Sequence, residues 1–181
     1  REAAGLLLVD AVPAAGKMEL DFALCDYMVL SGHKLGAPMG VGALVARTNS
    51  NESSAPLQPQ LVGGGQQKGL RAGAENLSGI AGFGAAAKSL GDAKGEHTRI
   101  AHLRDHFELG LRAAMNDVVI FGDQADRLCS TTSFAIPGLT AETALIGLDL
   151  DGVALSSGAT CSSGKVAVSH VLAAMGVDTG L

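Results

Sequence analysis

The first apolar run of the chain, Leu6 to Val9, is short and uninterrupted and ends on Asp10, the pattern of a strand covered on both faces with an acid at its carboxyl end. Asp26-Tyr27-Met28-Val29-Leu30 repeats the design and runs into Ser31-Gly32-His33-Lys34; Val41 to Ala46 supplies a third strand after a Gly/Pro turn. Strands ending in polar residues predict an α/β sheet. In such sheets ligands bind outside the strand carboxyl ends, which is where Asp10 and Ser31 to Lys34 fall. Residues 48 to 76 hold two prolines, a Ser/Asn patch and Gly63-Gly64-Gly65 without a sustained period, and read as an extended loop. Helical periodicity then runs from Leu77 to Leu90, and a second amphipathic stretch places Ile100, Leu103, Phe107 and Leu111 at spacings of three and four. Val118 to Phe121 and Thr132 to Ile136 read as strands and Thr140 to Leu150 as a helix capped by Thr140 with Glu142 in its first turn. Val153 to Leu155 reads as a further strand, and a last helix carries Val168, Val171, Leu172 and Met175. A composition shift around Gly91 to Gly95 divides the chain into residues 1–93 and a smaller α+β unit, 94–181, with no internal repeat.

Composition narrows the function classes. The 181 residues are 47% hydrophobic and 17% charged, below the roughly 25% of an average soluble domain, so a substantial core is expected. A net charge of −5, five Phe, one Tyr and no Trp leave neither the clustered basic footprint nor the stacking platforms that nucleic acid requires. No apolar run reaches the 18 or more residues of a transmembrane helix, and Arg1-Glu2-Ala3-Ala4 opens no signal peptide, so no membrane partner is expected. Three cysteines without a C-x-x-C spacing fit a reducing compartment, the cytoplasm. The chain starts without Met and runs almost at once into the first strand, as a piece of something longer would.

Chemistry concentrates at three places. A lysine at the end of a buried strand, as Lys34 is, would be partly desolvated and so able to form a Schiff base with an aldehyde cofactor. Asp10, at the end of a neighbouring strand, can pair with a protonated pyridine nitrogen, and Ser31 and His33 flank the lysine with groups suited to a phosphate. The third place is the small-residue segment Ser156-Ser157-Gly158-Ala159-Thr160-Cys161-Ser162-Ser163-Gly164, where Lys165 and the following helix's amino end favour a Cys161 thiolate. Cys25 and Cys129 lie in apolar or strand-flanking surroundings and read as small hydrophobes. His102 and His106 have the spacing of a metal pair but no evident third ligand, and no metal is expected. Gly63 to Gly65 lacks a phosphate-loop lysine and reads as a turn.

With these segments in order, the chain resembles the carboxyl-terminal part of a cysteine desulfurase of the NifS/IscS type, in the class V aminotransferase family of fold-type-I pyridoxal phosphate enzymes. The likeness rests on four segments: Val9-Asp10-Ala11 through Gly16-Lys17; Ser31 to Lys34 with Gly40 to Leu44; Gly63 to Gly65 through Arg71-Ala72-Gly73-Ala74-Glu75-Asn76; and Ser156 through Ser163. The resemblance implies part of a mostly parallel large-domain sheet, followed by a smaller α+β domain. It implies that Lys34 holds pyridoxal 5'-phosphate as a Schiff base, that Asp10 binds the pyridine nitrogen, and that Ser31, Gly32 and His33 form part of the phosphate site. Cys161 would be the nucleophile that accepts sulfur from L-cysteine as a persulfide, with release of L-alanine, and a transient ligand of an iron–sulfur cluster. A homodimer and a sulfur-acceptor or scaffold protein of iron–sulfur cluster assembly are the implied partners. Pro13 stands where the family usually has a glutamine that contacts the cofactor's phenolic oxygen, and Ala74 where it has a threonine that reaches the partner subunit's phosphate. The ring-stacking histidine and the substrate-binding arginine are expected outside these residues, so the chain alone is not expected to turn over. Selenocysteine lyase, another class V enzyme and a non-catalytic copy are the alternatives.

Overall fold

The computed structural model describes residues 5–47, 57–92, 94–158 and 169–177. They fall into two compact units, 1–100 and 101–181.

In the first unit, β1 (Leu8–Asp10), β2 (Tyr27–Ser31) and β3 (Gly42–Ala46) form a sheet in the order β1-β2-β3. β1 and β2 are parallel, with Leu8 opposite Tyr27 and Asp10 opposite Val29; β2 and β3 are antiparallel, with Ser31 opposite Gly42. The parallel pair brings the carboxyl ends of β1 and β2 to one edge. Gly32 makes the turn from β2 possible: its amide donates to Val41 O at 2.9 Å, and a β-carbon there would come within 2.8 Å of Val41 Cγ1. Ala11, Cys25 and Met28 form the core, with Val9, Leu20, Phe22, Leu30 and Val45 packed on it. Cys25, 1% exposed, is the small core hydrophobe its apolar neighbours indicated.

Leu6, Leu7 and Leu8 depart from the expected strand covered on both faces, since Leu8 is 56% exposed. β1 has a neighbour on one side only among the described residues, and its apolar side chains need cover that these residues do not provide. With Tyr27, Leu44, Leu61, Ile80 and Phe83, Leu8 lines an open groove of about 930 Å³. The long loop contains a short 3-10 turn, Gln66–Gly69, that its lack of period did not reveal, with Gln67 and Lys68 at φ of 50° and 58°. α1 (Leu77–Ser89) then begins under an Asn76 cap whose Oδ1 accepts the Gly79 amide at 3.0 Å.

α2 (Lys94–Ala114) starts in the first unit and ends in the second. The second unit adds a hairpin of β4 (Val119–Phe121) and β5 (Ser133–Ala135), then α3 (Ala141–Leu150) and the short α4 (His170–Ala174). Thr140 caps α3 as its sequence position indicated, Oγ1 accepting the Thr143 amide at 3.3 Å. Val153 to Leu155 is not a strand. Gly152 adopts φ 79° and the Val153 amide turns back to Leu148 O at 2.8 Å, so the donor a ladder would need closes the end of α3 instead.

Candidate functional site

Asp10 ends β1, and its Oδ1 accepts the Val12 amide at 3.0 Å, which fixes the carboxylate at the strand's carboxyl end. The second carboxylate oxygen takes no hydrogen bond among the described residues and is available to an N–H donor. On the neighbouring parallel strand, Ser31 is the last residue of β2, and the 3-10 turn Gly32–Leu35 carries His33 and Lys34 immediately after it. Ser31 Oγ and His33 Nδ1 share a hydrogen bond of 2.9 Å. Gly36, at φ 85°, ends the turn in the left-handed conformation that favours glycine. Thus Asp10, Ser31, Gly32, His33 and Lys34 sit on one edge of the sheet. That edge gathers an acid, a primary amine, a hydroxyl and an imidazole.

Lys34 is exposed in this chain, so the partial desolvation expected at the end of a buried strand is not supplied by these residues. Gly32 is buried by its contact with Val41, a role in turn geometry that its sequence position alone did not reveal. Cys161 lies outside the described residues, as do Ala159, Thr160 and Ser162 to Val168; Ser156, Ser157 and Gly158 precede them. The groove lined by Leu8 and Phe83 is lined by none of Asp10, Ser31, His33 and Lys34. In the glycine-rich loop, Arg71 Nη1 donates to Gly73 O at 3.0 Å and Ala74 O at 3.2 Å, tying the loop to itself before the Asn76 cap.

Two features carry no local sequence signal. On α2, His97 Nε2 meets Gly16 O at 2.6 Å across 81 residues of chain. In the second unit, Glu108 is only 7% exposed and accepts Arg127 Nη1 at 2.6 Å, Arg127 Nη2 at 2.7 Å and Thr132 Oγ1 at 2.7 Å. The Arg127 hydrogen bonds hold its carboxyl down to about 2, against the opposing effect of burial and with help from Thr132 and the nearby Arg104 charge. Arg112 and Asp123 pair at 2.5 Å beside this group. Among the described residues no cluster of three or more His, Cys, Asp and Glu is placed to hold a metal ion, and no helix is long and apolar enough to cross a membrane.

Comparison with known proteins matches residues 1–177 to the family model of class-V aminotransferases. A cysteine desulfurase of Gluconacetobacter diazotrophicus is 41% identical over 179 residues, which are 97% of this chain and 44% of that protein. The solved structure of a NifS-like protein from Rickettsia africae superposes with a TM-score of 0.79 at 34% identity, covering 94% of this chain and 44% of that one. A structure of SspA in complex with cysteine does so with a TM-score of 0.64 at 26% identity, over 94% of this chain and 46% of that one. The chain therefore spans less than half the length of these relatives, and its α/β fold is that of NifS-like enzymes.

Proposed function

The chain belongs to the class-V aminotransferase family, and on that premise we propose that the protein carrying it is a pyridoxal phosphate-dependent cysteine desulfurase. It takes sulfur from L-cysteine, releases L-alanine and holds the sulfur on Cys161 for a sulfur acceptor or scaffold protein of iron–sulfur cluster assembly. The observation that carries the proposal is the shared edge of β1 and β2, where Asp10 and the Ser31-Gly32-His33-Lys34 turn stand at adjacent strand ends. The likeness to proteins named cysteine desulfurase, and to one solved with cysteine, supports the choice of substrate.

The donor set fits pyridoxal 5'-phosphate. Asp10 offers its unoccupied carboxylate oxygen to a pyridinium N–H, Lys34 a primary amine to the aldehyde, and the hydrogen-bonded Ser31–His33 pair, on the turn that Gly32 opens, a donor to the phosphate. Bound there, the group supplies an electron sink for bond breaking next to the substrate's α-carbon. Lys34 would hold the group through its amine and, with that amine free, would be the base that moves the substrate's α-proton. The Cys161 thiolate attacks the substrate sulfur: a new S–S bond forms, the carbon–sulfur bond breaks with its electron pair left on carbon, and that carbon is protonated to give alanine. Residues 1–93 would then contribute the end of the cofactor-binding large domain and 94–181 the small domain with the Cys161 loop, in a cytoplasmic homodimer.

The test uses the full-length protein. Borohydride reduction after loading with pyridoxal phosphate, followed by peptide mapping, is expected to mark Lys34; an unmodified Lys34 refutes the cofactor assignment. Incubation with L-cysteine is expected to yield alanine and a persulfide on the Cys161 peptide, and undiminished alanine release by Cys161→Ala refutes the sulfur-acceptor assignment. L-Selenocysteine, run in parallel, separates a desulfurase from a selenocysteine lyase.

A further inference from the structure

The turn that follows Asp10 folds mostly on itself and is held from far along the chain at Gly16, against which the Leu90 side chain packs and whose carbonyl takes a hydrogen bond from His97. Ala11 O accepts the Ala14 and Ala15 amides at 3.1 and 2.8 Å, and Ala14 O accepts those of Lys17 and Met18 at 2.9 and 3.2 Å. Gly16, at φ 74°, sits so close to the 3-10 turn that a β-carbon on it would come within 2.9 Å of Leu35 Cδ2, on the residue after Lys34. The carbonyl of this same glycine takes His97 Nε2 at 2.6 Å, in a half-buried contact. A carbonyl only accepts, so Nε2 is the ring nitrogen that carries the proton.

We infer that His97 is a positioning residue of the cofactor site: through Gly16 it holds the 11–18 turn, and with it Asp10, against the turn that carries Lys34. The inference rests on the reading of Asp10 and Lys34 as cofactor ligands. The path from one end to the other consists of short links: His97 to Gly16 O, the Ala15 amide to Ala11 O, the Val12 amide to Asp10 Oδ1, and the Ala11 amide to Val29 O on β2. Gly16 is the link most in need of an outside hold, because glycine loses the most conformational freedom on being ordered and has no side chain to pack. The neighbouring Glu96 and Arg99 of α2 pair with each other at 2.6 Å, so loosening that exposed pair tests helix anchoring separately from Gly16.

Two measurements on the full-length protein test the inference: amide exchange at Val12, Lys17 and Met18 in the cofactor-free form, and affinity for added pyridoxal phosphate. In His97→Ala, exchange at these amides is expected to quicken and affinity to fall, each by about threefold to tenfold, the scale of one neutral hydrogen bond. His97→Gln, whose amide nitrogen reaches as far as Nε2, is expected to restore both, and Arg99→Ala to change neither. If His97→Ala misfolds, His97→Phe keeps the ring, removes the donor and carries the same expectation. Unchanged affinity in the variant, equal loss in Arg99→Ala, or no rescue by glutamine overturns the inference alone. A wild-type protein that takes up no pyridoxal phosphate sinks the underlying reading, and the cofactor role of His97 with it.

Discussion

The β1–β2 edge and the Glu108 cluster both gather charged and polar side chains, and they use them in opposite ways. At the edge, His33 and Lys34 stand exposed, and Asp10 spends one oxygen on its own turn. Around Glu108 both carboxylate oxygens are taken, by the two arms of Arg127 and by Thr132. The largest pKa displacement among the described residues therefore belongs to a structural tie rather than to the candidate site. Perturbed titration signals function only where the group keeps a face free for a ligand. Glu108 keeps none.

The largest expected effect breaks the edge alone. Lys34→Ala in the full-length protein should reduce alanine formation from L-cysteine roughly 10³-fold and abolish borohydride trapping of the cofactor, with the circular dichroism spectrum unchanged. Next comes the cluster: Glu108→Gln leaves Arg127 facing a neutral partner in a buried position and should cost about 3 kcal/mol in denaturant unfolding, while cofactor binding is retained. An effect of similar size follows from acid. The folded state holds the Glu108 carboxyl at about 2 against an ordinary 4.5, so its contribution is complete above the ordinary value and is lost as pH falls toward 2. With no Trp in the chain, circular dichroism is the monitor, and the acid-dependent loss should shrink in Glu108→Gln. The smallest is Asn76→Ala, which uncaps α1 and should cost about 1 kcal/mol, leaving the second unit's acid response as it was.

How much was legible in the sequence follows from how local each signal is. The strands ending at Asp10 and Ser31 and the cap at Thr140 are written in neighbouring residues, and the edge that the strand ends share follows from parallel pairing. Val153 to Leu155 misleads because an apolar triplet reads as a strand until its first amide is seen to close a helix. Glu108, on a helix face, gives no sign that its partners lie 19 and 24 residues away, and His97 none that Gly16 lies 81 residues back. Gln67 and Lys68 adopt left-handed backbone that their side chains do not announce. The groove is another such case: the run Leu6 to Val9 calls for cover, and nothing in it tells that Leu8 instead lines an open groove with Leu61 and Phe83.

The bare flank of β1 has a practical side. A strand edge with no partner among the described residues, beside exposed Leu6, Leu7 and Leu8, is a template on which other extended chains can add themselves, and apolar surface rewards each addition. Produced as these 181 residues alone, the polypeptide is expected to scatter light increasingly with concentration and to collect in inclusion bodies. A lysine in place of Leu7 would place a charge beside that edge and is expected to raise the soluble yield.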